Sequence, residues 1–184
     1  VTTPPFDPPS DRDIAIVSAQ LGRPARDVIG IPARCVCGAP TVVATRPRLG
    51  NGTPFPTLYY LTHPAATAAV STLEATGVMP ELAALLEDPE VAAAYRAAHE
   101  AYLADRESID HVEEIAGISA GGMPTRVKCL HALVGHALSA GPGVNPLGDI
   151  ALERAAWSPD RCECRAYDGT ADAGVPGGWR HGVS

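Results

Sequence analysis

Glycine and proline punctuate this chain so densely that they bound every element it can form. There are 18 of each in 184 residues, and they gather in "CVCGAP", "PRLGNGTPFP" and "GPGVNPLGD". Glycine admits positive φ, while proline fixes φ and removes an N–H, so each cluster is a turn or loop. What lies between them must be short. "RDVIGIPARC", "PTVVATRP" and "TLYYLT" read as three strands close together in sequence, hence an antiparallel meander. Such a sheet needs helices over a face.

Helix signals supply them. Ser10 caps "DRDIAIVSAQLG", with Asp11 and Asp13 in the first turn, and Gly22 and Pro24 end it. "PAATAAVSTLEATG" ends near Gly77, and "MPELAALLED" follows. Asp88 and Pro89 then open a long helix, on which Val91, Tyr95, Ala98 and Tyr102 recur at helical spacing. His99, between those tyrosines, reads as a hydrogen-bonded histidine beside the core. A further helix is expected from about Pro124 to Ala140, and a short one at "IALERAAW". The expected fold is α+β, a small antiparallel three-stranded sheet packed against about five helices. Residues 1–9, with four prolines, form a flexible arm. Residues 10–157 form the domain, and 158–184 a mobile tail.

Composition excludes some functions. A net charge of −7 argues against a nucleic-acid binder, which needs a basic surface. No run approaches the roughly 18 apolar residues of a membrane span, and "VTTPPFDPPS" lacks the regions of a secretory leader. The expected location is cytoplasmic, with no nucleic-acid or membrane partner.

The run "SAGGMPTRVKCLHALVGH" carries the densest chemistry. On a helix from Pro124, Val127, Leu130, Leu133, Val134, Ala137 and Leu138 share one face. Cys129 and His136 flank it, about 10 Å apart along the axis at 1.5 Å per residue. One helix cannot close a metal site with them, and the pattern of a zinc-protease helix is absent. Any metal there needs ligands from elsewhere.

An anion site fits the run better. Gly121 and Gly122 would let a ligand approach the helix start, while Arg126, Lys128 and the distant Arg48 would hold charge. A nearby guanidinium would activate Cys129 as a nucleophile, with His131 or His63 carrying protons. The five cysteines offer another chemistry. "RCVCGAP" places Cys35 and Cys37 on one face of an extended segment, so both could ligate zinc, although one intervening residue is fewer than usual. Cys162 and Cys164 repeat the spacing, so a four-thiolate site is conceivable, but within the expected mobile tail the pair reads as incidental.

"TRPRLGNGTPFPTLYYLTHP", "SAGGMPTRVKCLHALVGHAL" and "GPGVNPLGD" together resemble the bacterial domain-of-unknown-function 501 family, frequent in actinobacteria. The resemblance spans roughly residues 11 to 157. It implies a small cytoplasmic bacterial protein and no established activity, cofactor or partner, so no residue role comes with it. Cys162 and Cys164 lie outside it. Three readings stand: a site for a small anionic, phosphate-bearing ligand, with or without catalysis; a zinc-stabilised structural or regulatory domain using Cys35 and Cys37; and a non-enzymatic adaptor.

Overall fold

A computed structural model describes residues 6–164 of the protein. Helix α1 (Asp11–Leu21) begins where Ser10 and Asp13 cap each other, side chain to backbone in both directions. Three strands follow: β1 (Val28–Arg34), β2 (Pro40–Thr45) and β3 (Tyr59–Leu61). They pair antiparallel in the order β1-β2-β3, with Ala33 opposite Val42 and Ala44 opposite Tyr59. The expected meander is present.

Every residue of the central strand β2 is buried, because the sheet is covered on both faces. Val43 meets Val17 of α1 and Ile31 in a small apolar cluster. Val42 and Ala44 turn the other way into the main core. That core holds α2 (Pro64–Ala75), α3 (Val78–Ala84), α4 (Pro89–Glu107), α5 (Leu130–Ala140) and α6 (Pro146–Arg154). The described residues thus form six α-helices, one for each helical segment read from the sequence, and an α+β fold. None of these helices is long and apolar enough to cross a membrane.

Two helices differ from expectation. Helix α6 starts inside "GPGVNPLGD", where Asn145 accepts from the Gly148 N–H and Pro146 occupies the first turn. Gly148 lets α6 cross close to α5, since a Cβ there would collide with the Leu133 carbonyl. Helix α5 starts at Leu130, not near Pro124. Gly121 and Gly122 take φ of 71° and 95°, folding the chain back on itself. Their carbonyls accept from Lys128 N–H (2.8 Å) and Arg126 N–H (2.9 Å), so residues 121–128 close a turn before the helix begins.

One buried cation ties loops to this frame. Arg106, fully buried on α4, donates to the carbonyls of Pro56 (3.2 Å), Ile118 (2.5 Å) and Ile115 (2.8 Å). His99 bonds Ser119 Oγ at 2.8 Å, as its position beside the core predicts.

Parts of both expected ends are packed. Of the arm 1–9, residues 1–5 lie outside the described residues, but Phe6 sits edge-on to Tyr59 and Asp7 C=O accepts from Ile31 N–H. Of the tail 158–184, residues 165–184 lie outside the described residues. Residues 158–164 return to the β1–β2 turn, where Val36 N–H donates to Pro159 C=O at 2.9 Å.

Candidate functional sites

That return brings four cysteines together. Cys35 and Cys37 occupy the β1–β2 turn, which closes with Gly38 N–H on Cys35 C=O and Cys35 N–H on Ala39 C=O. Arg34 braces the turn by donating to Gly38 C=O and binding Asp13 of α1 through two bonds of 2.6 and 3.0 Å. The same guanidinium holds the Asp13 carboxyl well below the usual carboxylate range. Cys162 and Cys164 arrive from the segment after α6, and all four Sγ atoms lie within 4.8 Å of one another. Cys35 and Cys164 are buried, Cys37 and Cys162 exposed. The pair read from sequence as incidental therefore belongs with Cys35 and Cys37.

Such a cluster can hold a metal ion. Tetrahedral zinc with Zn–S of about 2.3 Å separates its sulphurs by about 3.8 Å. Burial raises the Cys35 thiol, and burial together with the neighbouring thiols pushes Cys164 up strongly. Burial would also raise Cys37, but the Ala39 N–H and the other thiols outweigh it, and the net direction is down. A divalent cation removes the conflict by taking all four as thiolates. A cleft of ≈ 530 Å³ lined by Cys37, Cys162, Asp13 and Arg34 gives an ion a way in.

His63 belongs to this cluster too. Its Nδ1 accepts from Ala66 N–H as the N-cap of α2 (3.3 Å), so Nε2 carries the proton and donates to Cys164 Sγ at 3.0 Å. It is buried and packs on Trp157, and desolvation lowers its imidazole from the ordinary histidine value. The sequence predicts His63 as a proton carrier for Cys129; the structure seats it beside Cys164.

Cys129 occupies the N-cap position of α5. His131 lies in the first turn, and Glu74 reaches across from the last turn of α2. One ligand atom from each of the three lies within 4.8 Å of the others. The His131 Nδ1 is 3.4 Å from Glu74 Oε1, and Nε2 is 3.2 Å from Thr67 C=O and 3.1 Å from Ser71 Oγ. Glu74 Oε1 also accepts from Leu130 N–H at 2.7 Å. Hydrogen bonding to His131 lowers the Cys129 thiol, and the same contact raises the imidazole. The sequence attributes thiol activation to Arg126; in the structure the charge comes from His131. Glu74 is the residue sequence reasoning missed, and its local signal is a carboxylate near the end of an otherwise uncharged helix.

The remaining predicted residues do not gather. Arg48 pairs with Glu114 at 2.6 Å and donates to Gly52 C=O. Arg126 and Lys128 are exposed. A Cβ on Gly122 would sit 2.6 Å from Arg126 O, so this glycine faces its own turn, with no room there for a ligand. His136 is fully buried, stacked 5.7 Å from Tyr59 at 7° and accepting from Asn145 Nδ2 at its Nδ1.

A family model described as "Protein of unknown function (DUF501)" matches residues 31–153. The match takes in Cys35, Cys37, Glu74, Cys129 and His131 and stops before Cys162. No curated protein and no solved structure matched the chain.

Proposed function

The chain belongs to the DUF501 family of proteins of unknown function, and we propose that it is a metal-clasped α+β domain. Cys35, Cys37, Cys162 and Cys164 hold one Zn²⁺, and the ion fastens the segment after α6 to the β1–β2 turn. The observation that carries this reading is the approach of four sulphurs, from two places far apart in the chain, to within 4.8 Å of one another. Four thiolates fill the tetrahedral shell and leave no position for substrate, so the role is structural. The His63 N–H on Cys164 Sγ orients that ligand and offsets its charge.

The small-anion reading has weaker support. Arg126 and Lys128 are exposed, and Arg48 already has a carboxylate. The adaptor reading has only single exposed side chains such as Val36, Tyr60 and Ile118 behind it.

The test is a metal analysis of the full chain and two double variants. Cys35→Ser/Cys37→Ser and Cys162→Ser/Cys164→Ser should each lower the zinc content by about one equivalent, because each removes half of a four-ligand shell. If the C-terminal pair can be replaced with no change in zinc content, the four-thiolate centre is wrong.

A further inference from the structure

We propose that Glu74, Cys129 and His131 form a second metal site. It takes a borderline-soft divalent cation such as Zn²⁺ and leaves a fourth coordination position open to water or an anionic donor.

The arrangement of the three groups separates this from the obvious rival, a nucleophilic thiol served by a relay. In a relay the thiol meets one ring nitrogen and the carboxylate orients the other, so the two flank the ring from opposite sides. Here the Glu74 oxygen, the Cys129 sulphur and a His131 nitrogen are mutual neighbours, all within 4.8 Å. The thiol and carboxylate are therefore on the same side of the imidazole. They converge on a point and do not form a chain.

Polarity makes that point cationic. The Thr67 carbonyl can only accept, so its 3.2 Å contact puts the hydrogen on His131 Nε2. In the neutral ring the Nδ1 lone pair then faces Glu74 Oε1 at 3.4 Å. A lone pair, a carboxylate oxygen and a sulphur brought together need a positive partner, which is a proton on Nδ1 in the metal-free protein and a cation that displaces it when metal binds. A nitrogen, an oxygen and a sulphur form a ligand set suited to zinc.

The surroundings hold each ligand in place. Thr67 C=O and Ser71 Oγ fix the far nitrogen of His131, and Leu130 N–H fixes Glu74 Oε1 at 2.7 Å. Metal-bound histidines and carboxylates are commonly supported this way. The side chains of His131 and Glu74 remain 26% and 29% exposed, so the site is not sealed. Three protein ligands with access to solvent describe an open centre, in contrast to the filled shell of the four cysteines.

The experiment uses full-length protein stripped of metal, with Zn²⁺ alone as the probe and alkylation of Cys129 read by peptide mass spectrometry. Zn²⁺ should protect Cys129 in the wild type and in Cys35→Ser/Cys37→Ser, which should still bind about one equivalent. Glu74→Gln and His131→Gln should weaken that protection by about tenfold or more, as loss of a ligand or its orienting group does. A Cys129 that alkylates equally fast with and without Zn²⁺ in the wild type overturns the proposal and leaves a plain thiolate–imidazolium pair. That readout needs no variant, so a misfolded mutant cannot mask it. The two centres fail independently: the C-terminal cysteine pair reports on the clasp, and Cys129 protection reports on this site.

Discussion

The two cysteine clusters differ in how the chain assembles them. The four-cysteine cluster joins a strand turn near the start of the chain to a segment near its end, and no regular element carries any of its ligands. The Glu74–Cys129–His131 cluster sits on a helix seam, with two residues at the start of α5 and the third on the adjacent α2. Packed helices hold the second cluster whether or not an ion is present. Loops hold the first, and an ion has much more ordering to contribute there. A metal can thus serve as a fastening where backbone support is weak and as a reagent where it is strong. The comparison predicts large stability effects at one cluster and small ones at the other.

The largest effect should come from opening the clasp. A metal bound to the native state at a hundred times its Kd stabilises by about 2.7 kcal/mol. Cys35→Ser/Cys37→Ser, or chelation of the wild type, should therefore lower Tm by roughly 5–10 °C for a chain of this size. Calorimetry in the presence of Zn²⁺ checks it, and an unchanged Tm would break the contrast between the clusters.

Acid provides a background against which both must be judged. Burial lowers His136 from 6.5 to about 4, so the unfolded chain takes up this proton before the folded one. Its contribution to stability is present above about pH 6.5, declines as pH falls, and is gone below about pH 4. Metal-free protein isolates this effect from ligand protonation. Denaturant unfolding across that window should show stability falling, and His136→Gln should flatten the slope.

A smaller effect is expected at His63. Removing the donor to Cys164 Sγ in His63→Ala should weaken zinc at the four-cysteine centre by about 10–100-fold while leaving Cys129 protection intact. Competition with a chromophoric chelator measures it. Equal losses at both sites would mean that the clusters are coupled.

The smallest change in stability should follow Glu74→Gln. Glutamine keeps an oxygen for the Leu130 N–H and loses only charge, so in metal-free protein Tm should shift by less than about 1 °C, as near-neutral surface changes do. A fall as large as that of the cysteine variants would make Glu74 a structural residue and remove the distinction between fastening and reagent.

Much of the fold was legible because it is encoded locally. Ser10 with Asp13, the Pro89 start of α4 and the stripe through Tyr95 and Tyr102 act within a turn or two of helix, where spacing along the chain is spacing in space. The start of α5 was misplaced because a 3.6-residue pattern continues upstream of Leu130, through Val127. Whether those residues become helical depends on Gly121 and Gly122, which a periodicity cannot read. The anion reading depended on that helix, and its geometry ended with it.

The sequence by itself determined three antiparallel strands, a series of helices between glycine and proline breaks, and the presence of cysteine pairs. Tertiary structure alone decided which groups meet. Cys162 and Cys164 reach Cys35 and Cys37 only because the chain after α6 returns to the β1–β2 turn, and His63 reaches Cys164 by the same return. Glu74 reaches Cys129 and His131 only because α2 packs beside α5. Backbone preference acts over a few residues, whereas a metal site depends on distances of a few ångströms between residues far apart in the chain, and only the packing of the core sets those.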